Sequence, residues 1–476
     1  DSIVLSDRNN RLLLALVAFV VIAAFISSRI QTSGGTVRVS EIRIPTQNGQ
    51  WVAADLFRPV SATAENPAPL VVVVPGFQRS REALANISIE LARRGIVVIS
   101  IDPYAQGRSS SSLSRRAATT EGYGSFAVVD YAASSENLNY VDKSRIAITG
   151  HSAGGNAAIR GGNYFGKQAQ ESGGPSKLHS VFVSGYVLTL RDEVLQDVRS
   201  NIGVSYAFYD EGAYRNELKN GDMTVAPETL RVVNLGRDKA LEPVEEIDLG
   251  HYYGDLADRT LRVVHNERIL HPFQPYMPEA TANQLDFFET VFELDFDLDH
   301  YDQVWYWKEL LGALSMIAAF IALIPLSRIL LQTRFFRPVI HDLPPALPRP
   351  RGRGRMVFWG LFAFSALFAC FTYIPMAELS QKLFVDASSR QMTWFFPQRM
   401  NNAVMLWAIL NGSLGYMLFW LSYRFFGKKN GIRPEMWGAK IGRSELFRAF
   451  LLALLLYLSY YLLVFGIYFF FHVDYN

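Results

Sequence analysis

The chain has 476 residues, of which 50% are hydrophobic and only 19% are charged, whereas about 25% of the residues in a typical soluble domain are charged. With a mean hydropathy of +0.10, this composition argues against an entirely soluble protein and predicts membrane-spanning segments. The net charge of +2 gives no whole-chain indication of nucleic-acid binding. The single cysteine, Cys370, excludes an intrachain disulfide.

The first predicted element is an apolar run over residues 12–26, which ends near Arg29. Its length is at the short end of the roughly 17–25 residues that a helix needs to cross a bilayer. A cleaved signal peptide is the alternative, but no convincing small-x-small cleavage site follows the run. We therefore expect residues 1–35 to form an N-terminal signal-anchor helix.

Strand and helix signals alternate from residue 36 to about residue 299. An opening hairpin is predicted around Asn48-Gly49. Short, largely apolar strands separated by helices follow it, at residues 70–74, 96–101 and 145–149. Such strands are buried on both faces, so they predict an α/β fold with a mostly parallel, twisted sheet and helices on both of its faces. We expect this domain to extend over residues 36–302.

The strand at residues 145–149 runs directly into Gly150-His151-Ser152-Ala153-Gly154, which fits the pattern G-x-S-x-G. A serine on a sharp strand-to-helix turn needs small neighbours, because the backbone there is strained and nearby chain approaches closely. The turn also places the serine at a helix N-terminus, where N–H groups favour developing negative charge. Ser152 is therefore the predicted nucleophile, with Gly150, His151 and Gly154 as its elbow. A glycine-rich turn with an idle serine is the alternative.

Together with this turn, two further stretches resemble the α/β-hydrolase superfamily, in particular its dienelactone-hydrolase-like and prolyl-oligopeptidase-like branches. Val74-Pro75-Gly76-Phe77-Gln78 resembles the loop after the third strand, which supplies one oxyanion N–H. Residues 102–109, DPYAQGRS, resemble the turn D-x-x-G-x-G-x-S, with Gln106 before the one retained glycine. The resemblance covers roughly residues 36–299. It implies an α/β-hydrolase fold with an oxyanion hole formed by the backbone amides of Phe77 and Ala153.

The resemblance also implies a general base just after the last strand and ahead of the final helix. His271 meets both conditions, because it follows the strand predicted at residues 260–265 and precedes the helix predicted at residues 280–292. The other histidines after the serine in this domain are expected to be structural or exposed: His179, His251, His265 and His300.

Two aspartates are candidates for the third member of the triad. Asp210 follows the strand predicted at residues 202–207, where members of the superfamily carry the aspartate. Asp238 follows residues 232–235, which are also predicted as a strand, and lies only 33 residues before His271 (271 − 238), compared with 61 for Asp210 (271 − 210). We favour Asp210 and keep Asp238 as the alternative. With Asp210, residues 212–259 form an insertion near the mouth of the site, where loop variation commonly sets specificity.

Four further apolar runs occupy residues 310–331, 356–377, 403–423 and 449–471, and each is long enough to cross the bilayer as a helix. Residues 328–355 carry seven basic residues against Asp342, and residues 424–448 carry seven against two acidic ones. By the positive-inside rule both loops and the N-terminus are cytoplasmic. Residues 303–476 are thus expected to be an all-α membrane domain, which brings the total to five transmembrane helices. The α/β domain then lies outside the cytoplasm, at the inner membrane.

This combination is similar to membrane-embedded hydrolase-like proteins of bacteria. The leading hypothesis is a membrane-bound serine hydrolase that cleaves an ester or other acyl bond of a small-molecule, lipid or envelope substrate. The alternatives are an acyltransferase with the same triad and a non-catalytic accessory subunit of a membrane complex. We expect contacts with membrane lipids and with membrane-protein partners, and none with nucleic acid. A triad needs no cofactor, and no histidines or cysteines have zinc spacing, so neither a cofactor nor a metal is expected.

Overall fold

The computed structural model describes residues 2–47, 49–238, 240–391, 393, 396, 398–437 and 441–475. Asn48 of the expected hairpin turn and Lys440 of the second basic loop lie outside these residues. The strands are β1 (Val37–Pro45), β2 (Trp51–Pro59), β3 (Ala68–Val74), β4 (Val97–Ile101), β5 (Val141–His151), β6 (Ser180–Ser184), β7 (Asn201–Ser205) and β8 (Arg262–His265). The α-helices are α1 (Ser2–Gln31), α2 (Ala85–Arg93), α3 (Ala117–Thr120), α4 (Ser125–Ser134), α5 (Ala153–Ser172), α6 (Asp192–Leu195), α7 (Pro227–Asn234), α8 (Pro278–Val291), α9 (Trp305–Leu331), α10 (Arg353–Leu383), α11 (Val385–Ser388), α12 (Arg399–Ser422) and α13 (Arg443–Phe471).

The chain divides into two compact units. The α/β unit consists of Ser27–Leu310 and Ser389–Pro397, and the helical unit consists of Asp1–Ile26, Leu311–Ser388 and Gln398–Asn476. The short segment Ser389–Pro397 lies in sequence between α11 and α12, yet it belongs to the α/β unit. A piece of chain far from the first 310 residues therefore contributes to the unit that contains the sheet.

The α/β unit is built on one eight-stranded sheet with the strand order β1-β2-β4-β3-β5-β6-β7-β8. The β1–β2 and β2–β4 pairs are antiparallel, and the pairs among β3 to β8 are parallel. In β3, Leu70, Val72 and Val74 pack in a core with α4 and α5, whereas Val71 and Val73 pack on the other face with α2 and α8. Because side chains alternate between the faces of a strand, a wholly apolar strand is buried on both. The expected sheet covered by helices on both faces is confirmed.

Residues 232–235 are not a strand, so that prediction is wrong. Residues 232–234 form the last turn of α7, which begins at Pro227. Proline suits the first turn of a helix, because its missing N–H would have no partner there. Val232 and Val233 are buried in the same core as α5. A short apolar run fits a buried strand or a buried helix equally well, and its spacing alone does not distinguish them.

Five helices in the described part of the chain are long and apolar enough to cross a membrane: Asp7–Gln31, Trp305–Leu331, Arg353–Leu383, Arg399–Asn430 and Arg443–Phe471. Within the helical unit, Val20 of α1, Ala319 of α9 and Ile467 of α13 belong to one small core. Between α10 and α12, the indole Nε1 of Trp407 donates a hydrogen bond to the carbonyl of Ala369 (2.9 Å). Large apolar side chains on these helices are exposed. Contact between so many apolar side chains and water would be unfavourable.

Candidate active site

Ser152 lies at the junction between β5 and α5, with φ of 59° and ψ of −120°. A positive φ is uncommon for a residue with a side chain, and it stores strain. The amide of Ser152 donates to the carbonyl of Ser184 (2.8 Å), which ties the turn to β6. Small neighbours are required, since a Cβ on Gly154 would lie 1.8 Å from the carbonyl oxygen of Val74. The pentapeptide therefore forms a strained strand-turn-helix elbow.

His271 and Asp210 are joined by a hydrogen bond of 2.7 Å between Nδ1 and Oδ2. Asp210 follows β7, and His271 begins the helical turn His271–Tyr276 after β8, so that two adjacent parallel strands bring the side chains to one edge of the sheet. The other oxygen of Asp210 accepts the amide of Gly212 (2.7 Å). Burial raises the pKa of Asp210, but the interactions with His271 and the Gly212 amide outweigh it, so the pKa lies below its ordinary value.

His151 connects His271 to the elbow. The ring of His151, the residue before Ser152, lies with its centroid 4.6 Å from that of His271. Burial, with a smaller contribution from the neighbouring His271, lowers the pKa of His151 to about 3, so this imidazole is neutral at neutral pH. In the described residues no hydrogen bond joins the hydroxyl of Ser152 to His271. Such bonds are often long in unliganded sites and shorten when substrate binds.

The other candidates lie apart from this pair. Asp238 is exposed, and its carboxylate accepts the amide of Ala240 (3.0 Å) within its own loop. His265 is buried in β8, and His300 forms a hydrogen bond of 2.6 Å with Glu289. Of the two aspartates, the structure therefore brings Asp210 to His271. Among the described residues, no group of three or more His, Cys, Asp or Glu side chains is arranged to hold a metal ion.

The loop after β3 lies against the elbow, since a Cβ on Gly76 would be 3.2 Å from the Cβ of Ser152. The loop turns at Gln78, whose φ is 59°. Within the described residues the amide of Phe77 makes no hydrogen bond, so it is available to a ligand oxygen. The amide of Ala153 heads α5, where the first N–H groups have no partner within the helix. The two amides expected from the resemblance are thus both free to donate.

Gln106 holds this loop through three hydrogen bonds to its backbone. Its Nε2 donates to the carbonyls of Gly76 (3.1 Å) and Arg79, and its Oε1 accepts the amide of Gln78 (3.1 Å). The side chain is buried, with 2% of the residue exposed. Sequence reasoning identified Gln106 only as the residue before the retained glycine. Its contact with Gly76 joins residues 30 apart in sequence, and no local pattern indicates such a contact.

The turn that carries Gln106 is held by the carboxylate of Asp102, which accepts the amides of Arg81 (2.8 Å) and Arg108 (2.9 Å). A Cβ on Gly107 would lie 2.2 Å from an oxygen of Asp102, so this glycine is required. Ala105 stands where the pattern has its other glycine, and it adopts φ of 59°, a left-handed conformation that costs an L-residue energy. The turn is strained, and its buried carboxylate network stabilises it.

A surface cavity of about 440 Å³ is lined by residues that include Phe165, Ala169 and Lys177. Phe165 and Ala169 belong to the C-terminal half of α5, whereas Ser152 precedes its first residue. Because α5 has 20 residues, it is about 30 Å long at 1.5 Å per residue. The cavity is therefore separate from the elbow.

A family model described as PET hydrolase-like matches residues 23–210. The match covers 188 residues (210 − 23 + 1) of the 476 in the chain, which is less than half. It includes Phe77, Ser152 and Asp210 and ends before His271. No curated protein sequence matches the chain.

Among solved structures, the chain is similar to an esterase of Pyrococcus furiosus, with 13% identity, 54% of this chain and 94% of that chain covered, and a TM-score of 0.38. A Klebsiella pneumoniae protein described as a dienelactone hydrolase has 16% identity and a TM-score of 0.36, and the match covers 54% of this chain and 98% of that chain. Dipeptidyl peptidase 4 of Porphyromonas gingivalis has 18% identity and a TM-score of 0.30. That match covers 37% of this chain but only 28% of the peptidase.

Proposed function

We propose that the chain is a serine hydrolase of the α/β-hydrolase superfamily, that Ser152, His271 and Asp210 are its catalytic triad, and that it cleaves an ester or other acyl bond. The observation that carries this proposal is the 2.7 Å hydrogen bond between His271 and Asp210, next to the strained elbow at Ser152. The elbow presents the hydroxyl, and the carboxylate orients the imidazole, as triad chemistry requires.

The proton path follows from the protonation states. A carboxylate can only accept a hydrogen bond, so Nδ1 of His271 donates to Asp210 and the other ring nitrogen is left to accept the proton of Ser152. The lowered pKa of Asp210 keeps it ionised, and its charge stabilises the imidazolium that forms as the serine attacks. Because the neighbouring His151 is neutral, it adds no positive charge that would oppose this protonation.

The attacked carbonyl oxygen becomes an oxyanion, and the backbone amides of Phe77 and Ala153 donate hydrogen bonds to it. Each such donor contributes roughly 2.7–4 kcal/mol to transition-state stabilisation in studied enzymes. Protonated His271 then gives its proton to the leaving group, and an acyl-enzyme remains on Ser152. Water, deprotonated by His271, attacks the acyl carbon. The bond from the acyl carbon to the oxygen of Ser152 then breaks, the imidazolium returns its proton to that oxygen, and the acid is released.

The substrate that we propose has an apolar acyl part, as in a lipid or an envelope ester. Four large apolar side chains beside the proposed catalytic residues are between 39% and 57% exposed: Phe77, Tyr209, Leu270 and Phe273. Ligand sites for apolar groups are lined mainly by such side chains. The five long apolar helices support a position in the cell membrane, and the basic loops support a cytoplasmic N-terminus with the α/β unit outside the cytoplasm. Membrane lipids and membrane-protein partners are further proposed contacts.

Labelling with a fluorophosphonate tests the proposal directly. The full-length protein, purified in detergent, should be labelled at Ser152, and Ser152→Ala should abolish the label. Ser61→Ala is the matched control, because Ser61 is exposed and outside the site, and it should be labelled like the wild type. A folded wild-type sample without label at Ser152 would contradict the proposed nucleophile.

A further inference from the structure

Arg390 and Gln391 belong to the α/β unit and lie beside Ser112. The amide of Ser112 donates to the carbonyl of Arg390 (2.7 Å), and Ser112 forms a parallel β-bridge with Gln391. The side chain of Gln391 donates to the carbonyl of Leu113 (3.2 Å) and accepts from Nε of Arg115 (3.0 Å). These bonds fix the backbone at Arg390 and Gln391, and with it the direction in which the side chain of Arg390 leaves the segment.

The guanidinium of Arg390 lies over two aromatic rings, 3.8 Å from the ring centroid of Tyr123 and 5.6 Å from that of Phe77. Arg390 is only 9% exposed, and its Nη1 has no hydrogen-bond partner among the described residues. Burial lowers the pKa of Arg390 to about 10, so the side chain is still a cation at neutral pH. A buried cation needs compensation, and the faces of aromatic rings provide it through their quadrupole.

The two rings differ in how firmly they are held. Tyr123 is partly buried and packs against the hydrophobic core, and its backbone carbonyl accepts the amide of Tyr104 (2.9 Å). Phe77, by contrast, is 39% exposed and belongs to the loop beside Ser152. The cation therefore connects a fixed ring to the exposed ring of the residue whose amide is the proposed oxyanion donor.

We propose that Arg390 is a positioning residue for the oxyanion hole: it attracts the ring of Phe77 and so holds the Phe77 amide toward Ser152. This inference rests on the function proposed above. Gln106 binds the backbone of the loop at Gly76, Gln78 and Arg79 but leaves the side chain of Phe77 free. Arg390 restrains that side chain. A donor used mainly in the transition state affects kcat more than KM, so the loss of Arg390 should lower kcat.

Steady-state hydrolysis of a p-nitrophenyl ester by the full chain tests the inference. Arg390→Ala should lower kcat by about 10-fold with KM nearly unchanged, and so should Arg390→Met, which keeps the apolar stem of the side chain. This effect is smaller than the roughly 10²–10³-fold decrease that follows the loss of an oxyanion donor. Arg390→Lys should recover most of the rate, because an ammonium also binds ring faces. Tyr123→Leu should lower kcat similarly and should add little to Arg390→Met. Arg116→Ala removes an exposed arginine near the bridge and should behave as the wild type.

Fluorophosphonate labelling separates this inference from the function on which it rests. Wild type labelled at Ser152, with Arg390→Met labelled several-fold more slowly and unfolding at the same temperature, would support the positioning role. Equal labelling rates and equal kcat in the two proteins would overturn it, as would a rise in KM at constant kcat, which would make Arg390 a substrate-binding residue. A folded wild type that is not labelled at Ser152 would overturn the proposed function itself. If the uncharged variants do not fold, Tyr123→Leu keeps the test valid, because it retains Arg390 and should still lower kcat.

Discussion

Asp210 and His271 form a hydrogen bond of 2.7 Å although they are 61 residues apart in sequence. The residues between them include α7 and β8, and the parallel pairing of β7 with β8 returns the chain to the same edge of the sheet. Asp238, nearer in sequence to His271, is exposed in its own loop. Proximity in the sequence is therefore a poor guide to the partner of the histidine, and strand adjacency is a better one.

Replacing Asp210 tests this relationship. Asp210→Asn removes the negative charge and allows the wrong imidazole tautomer, so we expect kcat for a p-nitrophenyl ester to fall by up to about 10⁴-fold, as in comparable triads. Asp238→Asn makes the same chemical change at an exposed site and should leave kcat unchanged. The reverse ranking of the two variants would assign the acid to Asp238.

Replacing Gln106 tests how the loop after β3, which carries Phe77, is held. Gln106→Ala removes three hydrogen bonds to the loop backbone, so the Phe77 amide should lose its alignment. We expect kcat to fall by at least about 10-fold and by no more than the roughly 10²–10³-fold that the complete loss of a donor costs. Gln170→Ala removes an exposed glutamine on α5 and serves as the control. The measurement is kcat with KM recorded in parallel, and unchanged kcat in Gln106→Ala would show that the loop holds its shape without this side chain.

Acid should destabilise the fold through His151. Its pKa falls from 6.5 to about 3 on folding, so the unfolded chain takes up the proton first as the pH decreases. The stability due to neutral His151 is therefore complete above about pH 6.5 and is lost progressively toward pH 3, with a loss of about 2 kcal/mol at pH 5. His151→Gln should show a smaller drop in thermal midpoint between pH 7.5 and pH 5 than the wild type. His251→Gln, at an exposed position, should show the full drop, and equal drops in all three proteins would contradict the assignment.

The proposed orientation in the membrane can be tested with single cysteines on a Cys370→Ser background. Ala64→Cys lies on an exposed turn of the α/β unit, and Arg351→Cys lies in the first basic loop. In intact cells an impermeant maleimide should modify the cysteine at position 64 and should modify that at position 351 only after permeabilisation. The opposite pattern would invert the proposed topology.

Much of the fold could be predicted, because its signals are local. Uninterrupted apolar strands indicate a sheet covered on both faces, and β3 is buried in this way. The expectation failed at Val232 and Val233, where a short apolar run forms a helix and not a strand. Runs of that length fit both structures, so burial on the sheet decides between them.

The sequence by itself determined the elbow, because the small residues of G-x-S-x-G after an apolar strand permit a tight turn. The sequence also indicated five apolar helices through their length and composition. Only the tertiary structure decided which aspartate reaches His271, that Gln106 holds the loop after β3, and that Arg390 packs on Phe77 and Tyr123. The physical reason is the distance along the chain over which each interaction acts. Steric and hydrophobic patterns act between near neighbours. The hydrogen bonds and cation–ring contacts join residues that are 28 to 313 positions apart (106 − 78 and 390 − 77), and they form only once the sheet has set the register.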